Sequence, residues 1–525
     1  MKYLTSLVTI ENRNVIIICH LFSKVCALAY LSKKNLSVLF AICINLEAFI
    51  RVKKMFSRYT ALLMLKMLAI ANLLALTACS SMPILTPDMA MQSPKAIALE
   101  NARGPLSHQQ SKKIIARIKK DGLETNIFDK HLALISEIVG SPLMVGNKVD
   151  LLVDGPSTYA AMLSAITAAK DHINMETYIF EDDEIGQQFA TMLMAKQKDG
   201  VQVNLIYDSV GSLGTPKEFF TALKEAGINV LEFNPINPLI KKKDWDVNQR
   251  DHRKLLIVDG KTAFLGGINI SSVYSSGSFS GSMRSSSKKN KKNANSIPWR
   301  DTHLQLSGPV VGEFQKMFTE TWVQQKGEPL AAKAYFPVLT NQGNEVVRAI
   351  GSSPEEPYSQ IYATLLSAIN SAETQVLLTN AYFVPDPQLL TALKDAVKRG
   401  VKVKLLLPEK TDSSLVFYAS RSYYDELLSA NVEIYEHQVA LLHAKTALID
   451  GVWSTVGSTN LDWRSFVNNQ EINAVMLGQN FGAQMQKMFE QDLASSKKIT
   501  LQDWRKRSIG ARIKERSARL WARLL

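Results

Sequence analysis

One pattern of residues occurs twice in this chain, and it constrains the architecture more than any other feature. The first copy comprises His252, Lys254, Asp259 and Gly266-Gly267-Ile268-Asn269, and the second comprises His443, Lys445, Asp450 and Gly457-Ser458-Thr459-Asn460. Both follow the spacing H-x-K-x4-D-x6-G-x-x-N, which should arise by chance in a chain of this length with odds on the order of one in ten thousand. Two copies predict two similar halves that carry the same chemical groups.

Each motif lies on a short segment rich in Leu, Ile, Val and Ala, which predicts a buried strand. Because alternate side chains of a strand share a face, the His and Lys of each motif should point the same way. An imidazole that attacks or donates a proton, beside a fixed ammonium, suits a reaction at an anionic phosphate diester. We include Asp259 and Asp450 in the catalytic motifs, but their odd spacing from the His favours a supporting role over direct reaction.

The turns that follow the two motifs predict a phosphate-binding surface. Glycine lets the backbone approach a bound phosphate closely, and Asn269, Ser458 and Asn460 are candidate substrate-binding residues that would donate hydrogen bonds to its oxygens. A metal site is the competing interpretation. His-x-Lys lacks a second ligand, however, and an ammonium repels a cation, so we expect no metal and no cofactor.

With these motifs, the chain resembles the phospholipase D superfamily and, within it, the bacterial cardiolipin synthases. The resemblance covers roughly residues 140–500 and includes the segments 147–155, 176–180, 299–303 and 460–465. Members of this superfamily pack two α/β halves about a pseudo-two-fold axis with both motifs in one cleft, and the resemblance implies that arrangement here. It also implies two His-orienting acids, Asp301 for His252 and Glu471 for His443.

Similarity between the halves extends past the motifs. Residues 198–206 match 398–406, and residues 229–233 match 431–435, each match predicting a strand. Segments with helical spacing precede the first pair, so the predicted fold class is α/β in two similar halves. The predicted domain boundaries are an N-terminal extension at 1–79, a tether at 80–127, halves at 128–330 and 331–500, and a basic amphipathic C-terminal helix at 501–525.

The amino-terminal region predicts a lipoprotein signal. All four cysteines lie in the first 79 residues, and Leu76-Thr77-Ala78-Cys79 closes an apolar stretch. This pattern predicts lipidation of Cys79, and by likeness to other lipoproteins Ser80 favours the outer membrane, with the enzyme facing the periplasm. The alternative is an inner-membrane protein held by N-terminal spans, and the choice between Met1 and Met55 as the start stays open.

Two further segments are strongly basic. A Ser- and Lys-rich insert at 275–295 interrupts the first half and is either a solvated loop or a basic flap near the cleft. Residues 505–525 carry eight Lys or Arg interleaved with Ile, Leu and Trp, which suits either an anionic membrane surface or packing on the body. Of the net charge of +13, +8 comes from residues 1–78, so the body of the protein is only mildly basic.

The resemblance implies a membrane-anchored phosphatidyltransferase that transfers a phosphatidyl group to phosphatidylglycerol through a phosphohistidine, with His252 as nucleophile and His443 as acid and base. The expected partners are membrane phospholipids, namely phosphatidylglycerol and, as a second candidate, phosphatidylethanolamine. Three alternatives remain: a phospholipase D that forms phosphatidic acid, a nuclease, and a lipid-binding protein without activity. The modest charge of the body argues against nucleic acid as a partner, and two complete motifs argue against loss of activity.

Overall fold

The structure is a computed structural model, and it describes residues 97–121, 125, 127–236, 248–275 and 297–525. The predicted lipidation site Cys79, both candidate start residues and nearly all of the 275–295 insert lie outside the described residues. Within the described ranges, no helix is long and apolar enough to cross a lipid bilayer.

Strands and helices alternate along the described chain. The strands are β1 (Leu99–Asn101), β2 (Gly104–Pro105), β3 (Leu143–Leu152), β4 (His172–Thr177), β5 (Gln202–Asp208), β6 (Asn229–Phe233), β7 (Arg250–Asp251), β8 (Lys254–Val258), β9 (Thr262–Gly266), β10 (Trp299–Arg300), β11 (His303–Ser307), β12 (Glu345–Ser352), β13 (Gln375–Asn380), β14 (Lys402–Pro408), β15 (Glu433–His437), β16 (Leu441–Leu442), β17 (Lys445–Ile449), β18 (Trp453–Gly457), β19 (Asn469–Leu477) and β20 (Ser496–Ile499). The α-helices are α1 (His108–Asp121), α2 (Ile127–Ile138), α3 (Gly155–Ala168), α4 (Glu184–Lys198), α5 (Lys217–Glu225), α6 (Val311–Gln324), α7 (Gln360–Ser371), α8 (Pro387–Lys398), α9 (Ser414–Arg421), α10 (Tyr424–Ser429), α11 (Trp463–Val467), α12 (Gln479–Ala494), α13 (Leu501–Arg505) and α14 (Ile509–Arg519).

The first half is a mixed sheet in the order β6-β5-β4-β8-β9-β11-β3. β4, β5 and β6 run parallel, with α4 and α5 as the crossover helices that parallel neighbours require. β8 runs antiparallel to β4, and the remaining strands continue the sheet antiparallel to one another. This topology places the start of β8, which follows His252, beside the carboxyl end of β4.

The second half repeats the first strand for strand, in the order β15-β14-β13-β17-β18-β19-β12. β3 joins the two sheets, because residues 148–152 pair with β11 while residues 144–147 pair with β12. Buried side chains from both sheets and from α6 and α12 form one shared apolar core. The prediction of two similar α/β halves is confirmed.

The repeated segments 198–206 and 398–406 each contain the end of a helix, a turn and the start of a strand. The turn glycines Gly200 and Gly400 have φ angles of 86° and 92°, which only glycine adopts without steric cost. The two repeated segments therefore share the same turn geometry as well as the same hydrophobic pattern.

The elements at the two ends of the body differ from those expected from the sequence. Residues 99–121, assigned to the tether, form β1, β2 and α1, with β1 parallel to β3. Helix α2, assigned to the first half, packs against α7 of the second half. The polar composition of α1 concealed a narrow apolar stripe, Ile115 and Ile118, which is buried with side chains of α2 and α7 in a second apolar core. At the carboxyl end, the predicted single helix is two helices, α13 and α14.

Candidate active site

Each motif histidine lies just before its strand, in a segment that pairs with the other half. β7 runs parallel to the start of β19, and the His252 amide donates to the carbonyl oxygen of Gln470 at 3.0 Å. β10 runs parallel to β16, and the His443 amide donates to the carbonyl oxygen of Arg300 at 2.7 Å. Backbone pairing between the halves therefore fixes both histidine segments.

The two His-orienting acids are exchanged relative to the prediction. His252 Nδ1 lies 3.0 Å from Glu471 Oε1 and 3.1 Å from Oε2, whereas His443 Nδ1 lies 2.6 Å from Asp301 Oδ2. The predicted assignment of Asp301 to His252 and of Glu471 to His443 is wrong. Each imidazole is oriented by a carboxylate from the opposite half.

The exchange follows from the strand pairing. Asp301 comes directly after β10, which pairs with the segment leading into His443, and Glu471 follows the β19 residues that pair with β7. Both carboxylates are fully buried, so each needs a hydrogen-bonded partner. A prediction based on order along the chain pairs each acid with the wrong imidazole, because the strands that carry the acids cross between the halves.

Burial and charge set the protonation states of this site. Burial, with a further contribution from Lys254 and Lys445, lowers the pKa of His252 to about 4 despite the neighbouring Glu471. Burial and the Lys445 ammonium lower the pKa of His443. Burial opposes ionisation of Glu471, but the charge and hydrogen bond of His252 lower its pKa below the usual value. At pH 7 each imidazole of the free enzyme is therefore neutral and lies beside a carboxylate anion. The Lys445 ammonium of the second motif also lowers the pKa of His252 in the first motif.

The motif lysines point into the site beside their histidines. Lys254 Nζ donates to the carbonyl oxygen of His252 at 2.6 Å, and Lys445 Nζ donates to that of His443. Burial lowers the pKa of Lys254 to about 7 and that of Lys445 to about 8, although buried carboxylates oppose the shift. Two ammonium groups held this way would gain a strong counter-ion if an anionic phosphate diester bound between them.

The motif aspartates lie at the far ends of the motif strands. Asp259 Oδ1 accepts from the amides of Asp171 and His172 at 2.8 and 3.1 Å. Asp450 Oδ1 accepts from the amides of Thr374 and Gln375 at 2.8 and 3.0 Å. Counting them among the catalytic residues is wrong: each lies five residues along the chain from its motif lysine, which at about 3.3 Å per residue is roughly 16 Å. Their supporting role is to satisfy the backbone at the start of β4 and β13.

Asp450→Ala should lower the free energy of unfolding by about 3 kcal/mol, because the amide N–H groups of Glu373, Thr374 and Gln375 all lose the buried carboxylate that accepts from them. Turnover should be nearly unchanged at temperatures where the variant is folded. Chemical denaturation and steady-state assays on the same preparation would check this. Asp395→Ala is the matched control, since Asp395 forms an exposed helix ion pair with Lys398 at 2.8 Å and should cost little. A large loss of turnover with unchanged stability would contradict the supporting role.

The three predicted substrate-binding residues differ in their contacts. The Ser458 hydroxyl donates to Glu471 Oε2 at 2.5 Å. It therefore holds the carboxylate that orients His252, instead of donating to phosphate as predicted. Asn269 accepts from the Ile179 amide at 3.3 Å and donates to the Tyr274 hydroxyl at 3.3 Å. Asn460 Oδ1 is buried and has no hydrogen-bond partner among the described residues. Of the three, Asn460 is the one whose side-chain amide has no hydrogen bond to a described residue, which leaves its amide nitrogen available to donate to a phosphate oxygen.

Aromatic side chains lie against both imidazoles, and these were not predicted from the sequence. The Tyr178 ring lies 4.9 Å from the His252 ring, and Lys254 Nζ lies 5.1 Å from the Tyr178 ring centre. The Tyr274 hydroxyl lies 3.2 Å from His443 Nδ1, and the Trp299 ring lies 5.2 Å from the His443 ring. Tyr178 and Trp299 belong to two of the segments that resemble cardiolipin synthases, and this resemblance was the one sequence signal that could have identified them. No sequence pattern marked Tyr274.

The chain is similar to proteins of one known family. A family model described as "Cardiolipin synthase, PLD-like domain" matches residues 162–279 and 365–493, one region in each half. The cardiolipin synthase of Geobacillus kaustophilus is 34% identical over 397 residues, which cover 75% of this chain and 76% of that protein. The major cardiolipin synthase of Bacillus subtilis is 34% identical over 381 residues, covering 72% and 76%. The phosphatidylserine synthase structure from Haemophilus influenzae shares the fold, with a TM-score of 0.55, 13% identity, and coverage of 74% of this chain and 99% of that one.

The predicted location as an outer-membrane lipoprotein is wrong. The cardiolipin synthases of Bacillus subtilis and Geobacillus kaustophilus, with which this chain aligns, are enzymes of the inner membrane. The prediction rested on Cys79 and Ser80, and a few small residues before a cysteine form a short, permissive pattern that a long apolar stretch can contain by chance.

Proposed function

This chain belongs to the cardiolipin synthase family of the phospholipase D superfamily, and on that premise we propose that it transfers a phosphatidyl group to phosphatidylglycerol through a phosphohistidine. It is thus a phosphatidyltransferase of the phospholipase D type. The observation that carries the proposal is the pair of imidazoles, each held at Nδ1 by a buried carboxylate from the other half. Both rings keep Nε2 for chemistry at the substrate.

In the first step, His252 Nε2 attacks the phosphorus of the donor lipid. The phosphorus–oxygen bond to the head group breaks as His443 gives a proton to the departing alcohol oxygen. The products are phosphatidyl-His252 and the free alcohol, which is glycerol when the donor is phosphatidylglycerol. Glu471 accepts a hydrogen bond from the Nδ1–H of His252, which selects the tautomer with a lone pair on Nε2.

In the second step, His443, now neutral, removes the proton from a hydroxyl of the acceptor phosphatidylglycerol. The acceptor oxygen attacks the phosphorus, the phosphorus–nitrogen bond breaks, and His252 returns to its neutral state with cardiolipin as product. Water in place of the acceptor would give phosphatidic acid. Lys254, Lys445 and Asn460 would stabilise the charge on the non-bridging oxygens in both transition states.

The contacts of the two imidazoles support His252 as nucleophile. His443 makes the shorter carboxylate bond, 2.6 Å to Asp301 against 3.0 Å from His252 to Glu471. A short charge-assisted bond favours the imidazolium form, so His443 is better suited to hold the proton. Burial lowers the pKa of His443 in the free enzyme. The anionic diester must therefore raise this pKa when it binds between the two lysines, so that His443 is protonated before the first step.

Incubation of the purified protein with labelled phosphatidylglycerol tests the proposal. Cardiolipin as the main product supports it, phosphatidic acid indicates a hydrolytic phospholipase D, and cleavage of DNA without lipid turnover indicates a nuclease. Lipid binding with no product of either kind would indicate the non-enzymatic alternative. Phosphatidylethanolamine, supplied as second lipid, shows whether it also serves as donor.

The lysine pKa values predict an alkaline decline in kcat/KM. His252, with a pKa of about 4, stays neutral at all higher pH values, whereas Lys254 and Lys445 lose their positive charge as the pH rises through about 7 and about 8. Since kcat/KM reports the free enzyme, it should be largest at mildly acidic pH, above the pKa of His252. It should fall as His443, whose pKa is lowered, loses the proton that it must donate, and as the two lysines lose their charge. Lys254→Arg, whose side chain stays charged, should remove the part of the decline centred near pH 7. A wild-type profile that keeps rising from pH 7 to 9 would contradict this.

A further inference from the structure

Large apolar side chains are exposed along the edge of the molecule that holds the active site. In both halves the motif lysine pairs with the carboxyl end of the first parallel strand, at Thr177 and Asn380, so the catalytic groups lie at the carboxyl-terminal edge of the parallel strands. The exposed side chains at this edge follow β5, β6, β14 and β15 or precede β10, and they are Leu213, Ile236, Leu415, Val439 and Ile297.

The carboxyl-terminal segment reaches the same edge. The Arg464 amide, at the start of α11 just after Asn460, donates to the carbonyl oxygen of Leu525 at 2.7 Å. The Arg464 guanidinium donates to the carbonyl oxygen of Asn248, shortly before His252, at 3.2 Å. α14 packs against α9, which follows β14. The chain terminus is therefore held beside the segments that carry both motifs.

Helix α14 is packed on one side and exposed on the other. Glu515 and Ala518 are buried, and Glu515 forms an ion pair with Arg507 at 2.8 Å. Ile509, Ile513 and Leu520 are all more than half exposed, and their spacing of four and seven residues places them on one stripe of the helix. Arg512 and Arg516 lie along the same stripe, and both are exposed. An exposed apolar stripe lined with arginines is what a helix at an anionic lipid surface requires.

We infer that the active-site edge, formed by the five exposed apolar residues and the exposed stripe of α14, is a docking surface for an anionic phospholipid bilayer. The charge of the arginines complements an anionic bilayer, and the apolar residues lie at the same sheet edge as the catalytic groups that a lipid head group must reach. The inference rests on the proposed function only in taking a membrane phospholipid as the substrate. Docking at this edge would present the cleft to the bilayer, so that a lipid need not leave the membrane fully to react.

Quenching of added tryptophans by brominated lipid tests the surface in the full-length protein. Ile513→Trp and Leu213→Trp probe the helix and the loops of the active-site edge. Phe336→Trp is the control: Phe336 is 60% exposed, as is Ile513, but it lies at the opposite edge. The ring of its neighbour Tyr335 packs against that of His172, the first residue of β4, with ring centres 4.6 Å apart. Vesicles of brominated phosphatidylglycerol should quench the first two added indoles and spare the third.

Any other pattern overturns the inference, including quenching of Ile513→Trp alone or equal quenching of all three. Arg512→Gln with Arg516→Gln, added to Ile513→Trp, should weaken lipid contact about 30-fold if each arginine contributes about 1 kcal/mol at an anionic surface. Transfer activity measured on short-chain, monomeric lipid tests the proposed function separately. Activity without the quenching pattern would reject only the docking surface, and the quenching pattern without activity would reject only the proposed function.

Discussion

His443→Asn should release one equivalent of leaving group from an activated donor lipid and then stop, while His252→Asn should release none. The donor is a phosphatidyl ester of p-nitrophenol, whose leaving group departs without a proton. His443 is therefore dispensable for the first step, and the phosphatidyl group should remain on His252 because no base activates the acceptor. With phosphatidylglycerol as donor, both variants should lose at least about 10⁴-fold in kcat, as expected for members of one catalytic unit.

A stopped-flow burst experiment, with acid-labile label recovered on the protein, measures both outcomes. His303→Asn is a suitable control, because His303 is fully buried in β11 and has no place in the mechanism. A burst from His252→Asn and none from His443→Asn would exchange the two roles. A burst from both variants would reject a single nucleophile, and turnover by either on phosphatidylglycerol would reject the shared mechanism.

The sequence could predict the fold because the pattern that defines it is local and repeated. Hydrophobic strands beside His-x-Lys, the glycine turns at Gly200 and Gly400, and helical spacing ahead of them each depend on a few neighbouring residues. The docking of the halves came from the resemblance to a family, since nothing local specifies how β3 is shared between two sheets or that α6 and α12 form a common core.

Residue roles that depend on long-range pairing could not be predicted in the same way. Ser458 was expected to bind phosphate because it lies in a glycine turn, but its hydroxyl is bound to Glu471, thirteen residues later, across the β18–β19 pair. Tyr274 reaches His443 from a short 3-10 turn in the other half. The exchanged acids have the same origin, because proximity along the chain says nothing about which strand pairs across the interface.

That exchange leads to the second large expected effect. Glu471→Gln should slow the burst from the p-nitrophenyl donor by about 10³- to 10⁴-fold, by analogy with loss of the orienting carboxylate in a Ser-His-Asp triad, because it disturbs the tautomer of His252. Asp301→Asn should leave that burst almost intact and slow the transfer to phosphatidylglycerol by a similar factor, because it acts on His443. Thermal unfolding of both variants should be measured first, since each amide replaces a buried carboxylate.

The combined variants distinguish the crossed pairing from a pairing within each half. Glu471→Gln added to His252→Asn should cost little further activity, since the carboxylate acts through an imidazole that is already gone. Glu471→Gln added to His443→Asn should instead remove the burst that His443→Asn retains. If Asp301→Asn rather than Glu471→Gln abolished that burst, Asp301 would be the acid that orients His252, and the contacts across the two halves would not be those of the working enzyme.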